Sequence, residues 1–148
     1  DPVTGGPRVD ENRQTSIPGV YACGNVLHVH DIVDFVSKES TIAGKSAAAY
    51  NLQSQSGAEQ VTLKAAGAVR YTVPQMASLE EPFSIFCRVA YPVSSGKFLV
   101  KAGDQVILEK KFIKAVPSEM EEIPVRKAEL EKILSTGAGE LTLETCLD

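Results

Sequence analysis

The stretch Thr15-Ser-Ile-Pro-Gly-Val-Tyr-Ala-Cys-Gly-Asn25 decides how the N-terminal part of this chain is interpreted. Pro18 and Gly19 predict a turn, residues 20–23 a short buried strand, and Gly24 the end of that strand. Glycine lets a ligand approach the backbone closely, and Asn25 can hydrogen-bond a ligand hydroxyl group. A helix that follows would direct the positive end of its dipole at the same place. The stretch is therefore typical of a strand and helix that face a cofactor.

A helix is expected next, because apolar residues recur at three- and four-residue spacing from residue 31 to about residue 52. Asp31 is the expected N-cap. The end of this helix, Ala43-Gly-Lys-Ser-Ala-Ala-Ala-Tyr50, is dominated by small side chains. Small side chains allow a helix to lie close to a neighbouring backbone. The polar run 53–59 then predicts a linker.

The remaining residues, 60–148, have an apolar period of two, which indicates strands. Strands are predicted at 61–63, 69–73, 83–89, 98–100, 106–108 and 141–146. One short helix is expected at 126–134, with Leu130, Ile133 and Leu134 on its buried face. Short strands separated by turns predict a mainly antiparallel, immunoglobulin-like β-sandwich.

Composition limits the function classes. The chain has 148 residues, a net charge of −4 and 43% hydrophobic residues, as expected of a folded protein. Mild acidity argues against nucleic-acid binding, and no apolar run is long enough to span a membrane. The three cysteines form no CxxC pair, so neither a disulfide framework nor a zinc site is expected from them. A cytoplasmic location is the default expectation.

The stretch 15–25 resembles the second FAD-binding motif of the pyridine nucleotide-disulfide oxidoreductase superfamily. Thioredoxin reductase-like members carry a similar Thr-Ser-x-Pro-Gly-x-(Phe/Tyr)-Ala-x-Gly-Asp segment, and residues 43–49 resemble the small-residue part of the helix after it. Asn25 stands where Asp is usual, which keeps an acceptor oxygen but removes a charge. Residues 26–35 are more similar to NAD(P)/FAD-dependent oxidoreductases found with amine, opine or glycerol-3-phosphate dehydrogenase systems.

The resemblance implies a set of cofactor-binding residues. Gly24 and Asn25 would contact the flavin ribityl chain, whereas His30, Asp31 and Ile32 would bring the helix N-terminus to the isoalloxazine ring. The implied cofactor is FAD. In the intact protein, NAD(P) would exchange a hydride with the flavin from a domain that this sequence does not include. The sequence assigns no catalytic residue.

The resemblance also implies a domain organisation. The predicted fold class is α+β, with a strand-plus-helix remnant of an FAD-binding Rossmann-like domain at 1–52, the linker at 53–59 and the accessory sandwich at 60–148. The chain is thus expected to be the C-terminal fragment of an oxidoreductase, inactive alone and unable to hold FAD tightly. Expected partners are the rest of the parent flavoprotein, a partner dehydrogenase subunit or a second copy of the chain.

Two alternatives stay open at this stage. His28 and His30 have the spacing of metal ligands on a strand, but no third ligand is evident nearby, so no metal site is expected. The pair could instead contact the flavin edge or a substrate, or lie in a surface loop. For the whole chain, the alternative to an oxidoreductase fragment is a non-catalytic β-sandwich that binds a protein partner.

Overall fold

The computed structural model describes residues 1–50 and 60–147, and within these ranges the fold is mixed α+β with two α-helices and mostly strands. The elements are α1 (Val33–Ala49), β1 (Val61–Ala65), β2 (Val69–Val73), β3 (Met76–Ala77), β4 (Phe83–Val89), β5 (Val93–Ala102), β6 (Gln105–Ala115), β7 (Glu121–Val125), α2 (Lys127–Thr136) and β8 (Glu140–Leu147). The predicted linker at 53–59 lies outside the described residues.

Two sheets share one apolar core. The larger sheet has the strand order β3-β1-β8-β5-β6, and the smaller sheet has the order β2-β4-β7. Neighbouring strands are antiparallel except for β1 and β8, which run parallel. Phe98 on β5, Leu141 on β8 and Ile123 on β7 are fully buried in the same cluster. This arrangement agrees with the predicted sheet-on-sheet packing and the mainly antiparallel pairing.

Strand β4 is covered on both faces. Its side chains alternate between the core on one face and the N-terminal segment on the other. Ile85, Cys87 and Val89 point into the core between the sheets. Phe86 lies on the opposite face, where its ring contacts the ring of Phe35 on α1 with 5.8 Å between centroids. The smaller sheet therefore lies between the larger sheet and the N-terminal segment.

The N-terminal segment is joined to the sheets by its own small core. Val9, Ala22, Leu27, Tyr71 and Val73 form a second buried cluster. Next to it, the backbone N–H of Val9 donates to the side chain of Gln75 at 2.9 Å, and the N–H of Gln75 donates to the Val9 carbonyl at 3.1 Å. Residues 1–50 thus pack directly on β2 and the segment after it.

The strand predicted at residues 20–23 is wrong. Only isolated bridges form in this region, between Val9 and Thr15 and between Gln14 and Tyr21, followed by a 3-10 helix at Gly24–Val26. No neighbouring strand extends the pairing within the described residues. The predicted burial is also wrong for most of this run, since Val20 is 46% exposed and only Ala22 is buried. Without a partner strand, the backbone groups of a short run form no ladder.

The N-cap of α1 is Ile32 rather than the predicted Asp31, so the helix begins one residue later than predicted. Its small C-terminal residues are mostly exposed, and a Cβ added at Gly44 would meet nothing within 4 Å. The close backbone contact expected for this stretch is therefore not made by the described residues.

In the second part, the predicted strands and the helix α2 are confirmed, with β5 and β6 longer than expected. Two elements were not predicted, β3 and β7. The sequence of β7, Glu-Glu-Ile-Pro-Val, contains residues that are rare in strands, but β7 is an edge strand, where proline is tolerated. Leu134 is 59% exposed, so its predicted burial is wrong, whereas Leu130 and Ile133 are buried. Neither helix has the length and apolar character required to cross a membrane.

Candidate functional site

Gly24 stands at the turn from the N-terminal segment into the 3-10 helix. Its φ of +72° belongs to the left-handed region, which favours glycine. Its backbone N–H donates a hydrogen bond to Oε2 of Glu39 at 2.8 Å. Gly24 therefore directs its N–H into the protein, toward α1.

Asn25 and His30 are linked through the backbone of the loop before α1. Oδ1 of the exposed Asn25 accepts a hydrogen bond from the N–H of His30 at 3.3 Å. The side chain of His30 is only 1% exposed and points toward Glu39. The structure therefore brings Asn25 to the surface and turns the imidazole of His30 inward.

Asp31 and Ile32 lie at the N-terminus of α1 but do not cap it through their side chains. The carboxylate of Asp31 accepts hydrogen bonds from the backbone N–H of Met120 at 3.2 Å and from Arg88 Nη2 at 3.4 Å. Asp31 is thus used to join the loop to the smaller sheet. The aliphatic side chain of Ile32 cannot accept a hydrogen bond, so the first turn of α1 has no side-chain cap.

Aliphatic residues are exposed around this helix terminus. Val26, Val29, Ile32 and Val33 are each at least 50% exposed, and all lie within residues 26–33. We call these four residues the aliphatic rim. Exposed aliphatic residues that are close in sequence at one end of a helix mark a surface suited to contact with an apolar ligand or protein.

A polar cluster is buried between α1 and the segments that precede it, with Glu39 at its centre. Glu39 lies on α1, is inaccessible to solvent and accepts four hydrogen bonds. Oε1 accepts from Arg13 Nε at 3.0 Å and from His28 Nε2 at 3.2 Å. Oε2 accepts from His30 Nε2 at 2.9 Å and from the N–H of Gly24 at 2.8 Å. Both carboxylate oxygens are therefore fully used.

These contacts control the ionisation of the cluster. Burial opposes the charge on Glu39, but the hydrogen bond from His28 and the charge of Arg13 outweigh it and lower the pKa of Glu39 to about 2. Burial also lowers the pKa of His28, against the raising effect of Glu39. At neutral pH the cluster thus contains an ionised carboxylate and a neutral His28.

The hydrogen bonds also assign the tautomers of the two imidazoles. An ionised carboxylate only accepts, so Nε2 carries the proton on both His28 and His30. Nδ1 of His28 lies 3.3 Å from the hydroxyl of Tyr71 on β2 and accepts a hydrogen bond from it. Nδ1 of His30 is buried and has no partner among the described residues.

Arg13 is held in an unusual backbone conformation. Its φ of +68° is rare for a residue with a side chain. Its guanidinium is 1% exposed, with the carbon Cζ 5.6 Å from the centre of the Phe86 ring, and Nη2 has no hydrogen-bond partner within the described ranges. The surrounding contacts with Glu39 and Phe86 maintain this conformation.

Sequence reasoning missed Glu39, Arg13 and Tyr71 as members of one cluster. The histidine pair was noticed, but Glu39 is nine residues from His30 and on another element. A signal did exist on α1, since Glu39 shares a buried helical face with Ala43. A charged residue on such a face needs a partner when it is buried.

Comparison with known proteins adds no further assignment. No family model matches the chain, and no curated protein or solved structure is significantly similar to it.

Proposed function

We propose that this chain is the C-terminal fragment of an FAD-dependent, NAD(P)-linked oxidoreductase and contributes the segment that contacts the flavin ribityl chain and ring. The proposal depends on one observation, which concerns the N-terminus of α1. It has no side-chain cap, and residues of the exposed aliphatic rim form its N-cap and first position and lie in the loop before it. The Rossmann-like origin of residues 1–52 and the resemblance of the stretch 15–25 belong to the same proposal.

The helix terminus suits the ring for two physical reasons. Backbone N–H groups of an uncapped first turn, together with the helix dipole, favour an oxygen that carries partial negative charge. The rim offers aliphatic side chains for the flat apolar face of a ring. FAD, when bound, would supply the ability to accept a hydride from NAD(P)H.

The residues expected near the ribityl chain differ in how well they fit. Asn25 is exposed, and its amide can hydrogen-bond a hydroxyl group. Gly24 would contribute close backbone approach, because its N–H is already bonded to Glu39. His30 would contribute its backbone, since its side chain is buried. Arg88 and Met120 would hold Asp31 and so fix the loop that carries the rim.

The remaining expectations complete the proposal. The exposed small-residue end of α1 offers a surface for the rest of the parent flavoprotein. A partner dehydrogenase subunit or a second copy of this chain could use the same surface. The proposed location is the cytoplasm.

The test uses the protein expressed from the full reading frame that encodes this chain. We expect it to purify with a flavin absorption band that NADH or NADPH bleaches. Ile32→Asp places a negative charge at the helix terminus and should weaken flavin retention at least about tenfold, which corresponds to about 1.4 kcal/mol. Ile113→Asp, at a 90% exposed position on β6, is the matched control and should retain flavin. A protein that neither contains nor binds flavin would refute the proposal.

A specific observation favours a second candidate, a non-catalytic β-sandwich that binds a protein partner. Gly24, Asn25 and Asp31 all use polar groups for contacts within the chain. These contacts are explained without a cofactor if residues 1–50 only pack on the sandwich. The coding region upstream of Asp1 distinguishes the candidates. A GxGxxG motif between a strand and a helix favours the oxidoreductase, whereas an unrelated domain favours the binding module.

A further inference from the structure

We propose that His28, His30 and Glu39 bind one divalent transition-metal ion, with Zn²⁺ as the ion that best fits two imidazoles and a carboxylate. The sequence led to the opposite expectation because it offered only the histidine pair. The fold supplies the third donor from α1. This inference concerns the buried cluster and does not depend on flavin binding at the rim.

The donor atoms are already close to one another. One ligand atom from each of the three residues lies within 4.8 Å of the others. Bonds of about 2.0–2.2 Å in a tetrahedral site place neighbouring donors about 3.3–3.6 Å apart. The His–Glu39 pairs, at 3.2 Å and 2.9 Å, already have about this spacing. The widest-spaced pair of donors, within 4.8 Å, has to approach by about 1.2 Å, which requires small rotations of the imidazoles.

The carboxylate of Glu39 is held by groups that can stay in place when an ion binds. Arg13 Nε and the N–H of Gly24 bond one oxygen each, at 3.0 Å and 2.8 Å. The imidazole Nε2 atoms of His28 and His30 occupy the remaining acceptor positions. An ion would replace these two N–H donors, while Arg13 and Gly24 continue to orient the carboxylate.

The surrounding charges balance a divalent ion. Arg13 alone would oppose a cation, but Asp10 and Glu11 are buried beside it and interact with its charge. With Glu39 these groups provide three carboxylates against one guanidinium. Because metal-bound imidazoles are neutral, the formal charge of these groups is −2 when all three carboxylates are ionised, and a divalent ion neutralises it.

Ion binding requires a tautomer change that can be observed directly. In the ion-free cluster, Nε2 of both imidazoles carries the proton. Coordination through Nε2 moves this proton to Nδ1, and the Tyr71 hydroxyl can then accept from His28. Nδ1 of His30 lacks such an acceptor within the described residues, so we expect micromolar affinity rather than that of a structural zinc site.

The experiment titrates the chain itself with Zn²⁺, and with Co²⁺ as a coloured probe, at neutral pH. The sequence has only two histidines, so every imidazole signal in a ¹⁵N NMR spectrum comes from this cluster. We expect one ion per chain and a shift of both imidazoles from the Nε2–H to the Nδ1–H tautomer. His30→Gln should weaken Zn²⁺ binding at least about tenfold, or about 1.4 kcal/mol.

Cysteines are the main alternative ligands, and a double variant controls for them. Cys146 is exposed and Cys23 is partly exposed, so the variant Cys23→Ser/Cys146→Ser should keep the affinity of the unchanged chain. The proposal is overturned if millimolar Zn²⁺ leaves both imidazole signals unchanged. It is also overturned if His30→Gln binds as tightly as the unchanged chain, or if the double cysteine variant loses binding. The NMR result on the unchanged chain decides the question even if His30→Gln does not fold.

Discussion

Glu39→Gln should destabilise this protein strongly although it removes only a charge. The carboxylate accepts from Arg13, His28, His30 and Gly24. A glutamine can direct its oxygen at only one pair of these donors. Its NH₂ group then faces either Arg13 Nε or the Gly24 N–H, neither of which can accept. An imidazole can adapt by changing tautomer, but those two fixed donors cannot.

The expected loss is about 3–5 kcal/mol, the usual cost of removing one partner from a buried ion pair. The larger part comes from Arg13, which is 1% exposed and would keep its charge without its hydrogen-bonded carboxylate, leaving only weaker Coulombic interactions with Asp10 and Glu11. Urea denaturation measures the free energy of unfolding, and hydrogen exchange of the α1 amides measures the loss locally. A loss of about 3 kcal/mol corresponds to roughly hundredfold faster exchange.

Two controls separate this mechanism from a general effect of the substitution. Glu131→Gln makes the same chemical change at an exposed position on α2 and should alter stability by no more than about 0.5 kcal/mol. Combining Arg13→Met with Glu39→Gln removes both charges, so the double variant should lose at least about 1 kcal/mol less than the two single losses together. The reasoning is refuted if Glu39→Gln matches Glu131→Gln, or if Arg13 and Glu39 prove additive.

Three further predictions concern the sheets. Burial raises the pKa of Cys87 to about 12 from an ordinary 9.0, so the thiol ionises at lower pH in the unfolded chain than in the folded protein. The free energy of unfolding should therefore fall as the pH rises above about 9. Urea denaturation across this pH range should show a smaller fall for Cys87→Ala. A thiol reagent should label the exposed Cys146 first and Cys87 only on unfolding, and equal rates would contradict the described burial. Phe98→Ala should cost about 3–5 kcal/mol, whereas Ile113→Ala should change the thermal midpoint little, as calorimetry can measure.

Local patterns predicted the second part of the chain well. Apolar residues at 83, 85, 87 and 89 follow a period of two and form β4, and Leu130 and Ile133 at helical spacing are buried on α2. The apolar period of two could not predict β7, because its glutamates form ion pairs with lysines on other elements. Lys110 bonds Glu121 at 2.8 Å, and Lys38 on α1 forms an ion pair with Glu122. Long-range pairs of this kind leave no local sequence signal.

The candidate site was predicted less completely. His30, Asp31 and Ile32 were predicted at the helix N-terminus and directly precede α1, but nothing in the spacing indicated that Gly24 and the side chain of His30 would face inward. That orientation depends on Glu39, whose carboxylate collects donors from separate loops. Arg13 contributes through a positive φ that its sequence neighbours do not predict. Flavin binding by Gly24, Asn25, His30, Asp31 and Ile32 stays a prediction.

The two-sided burial of β4 has a consequence for how its alignment is specified. A slip of one residue against β2 or β7 would turn Phe86 into the core between the sheets and expel Ile85 and Cys87 toward α1. Both apolar interiors would be mismatched at once. In a sheet with one solvated face, a one-residue slip disrupts packing on the buried face only. Because packing on both faces of β4 specifies the same register, the smaller sheet can pair correctly only in the register that also lets the N-terminal segment pack on it. Pairing and packing are therefore expected to form cooperatively.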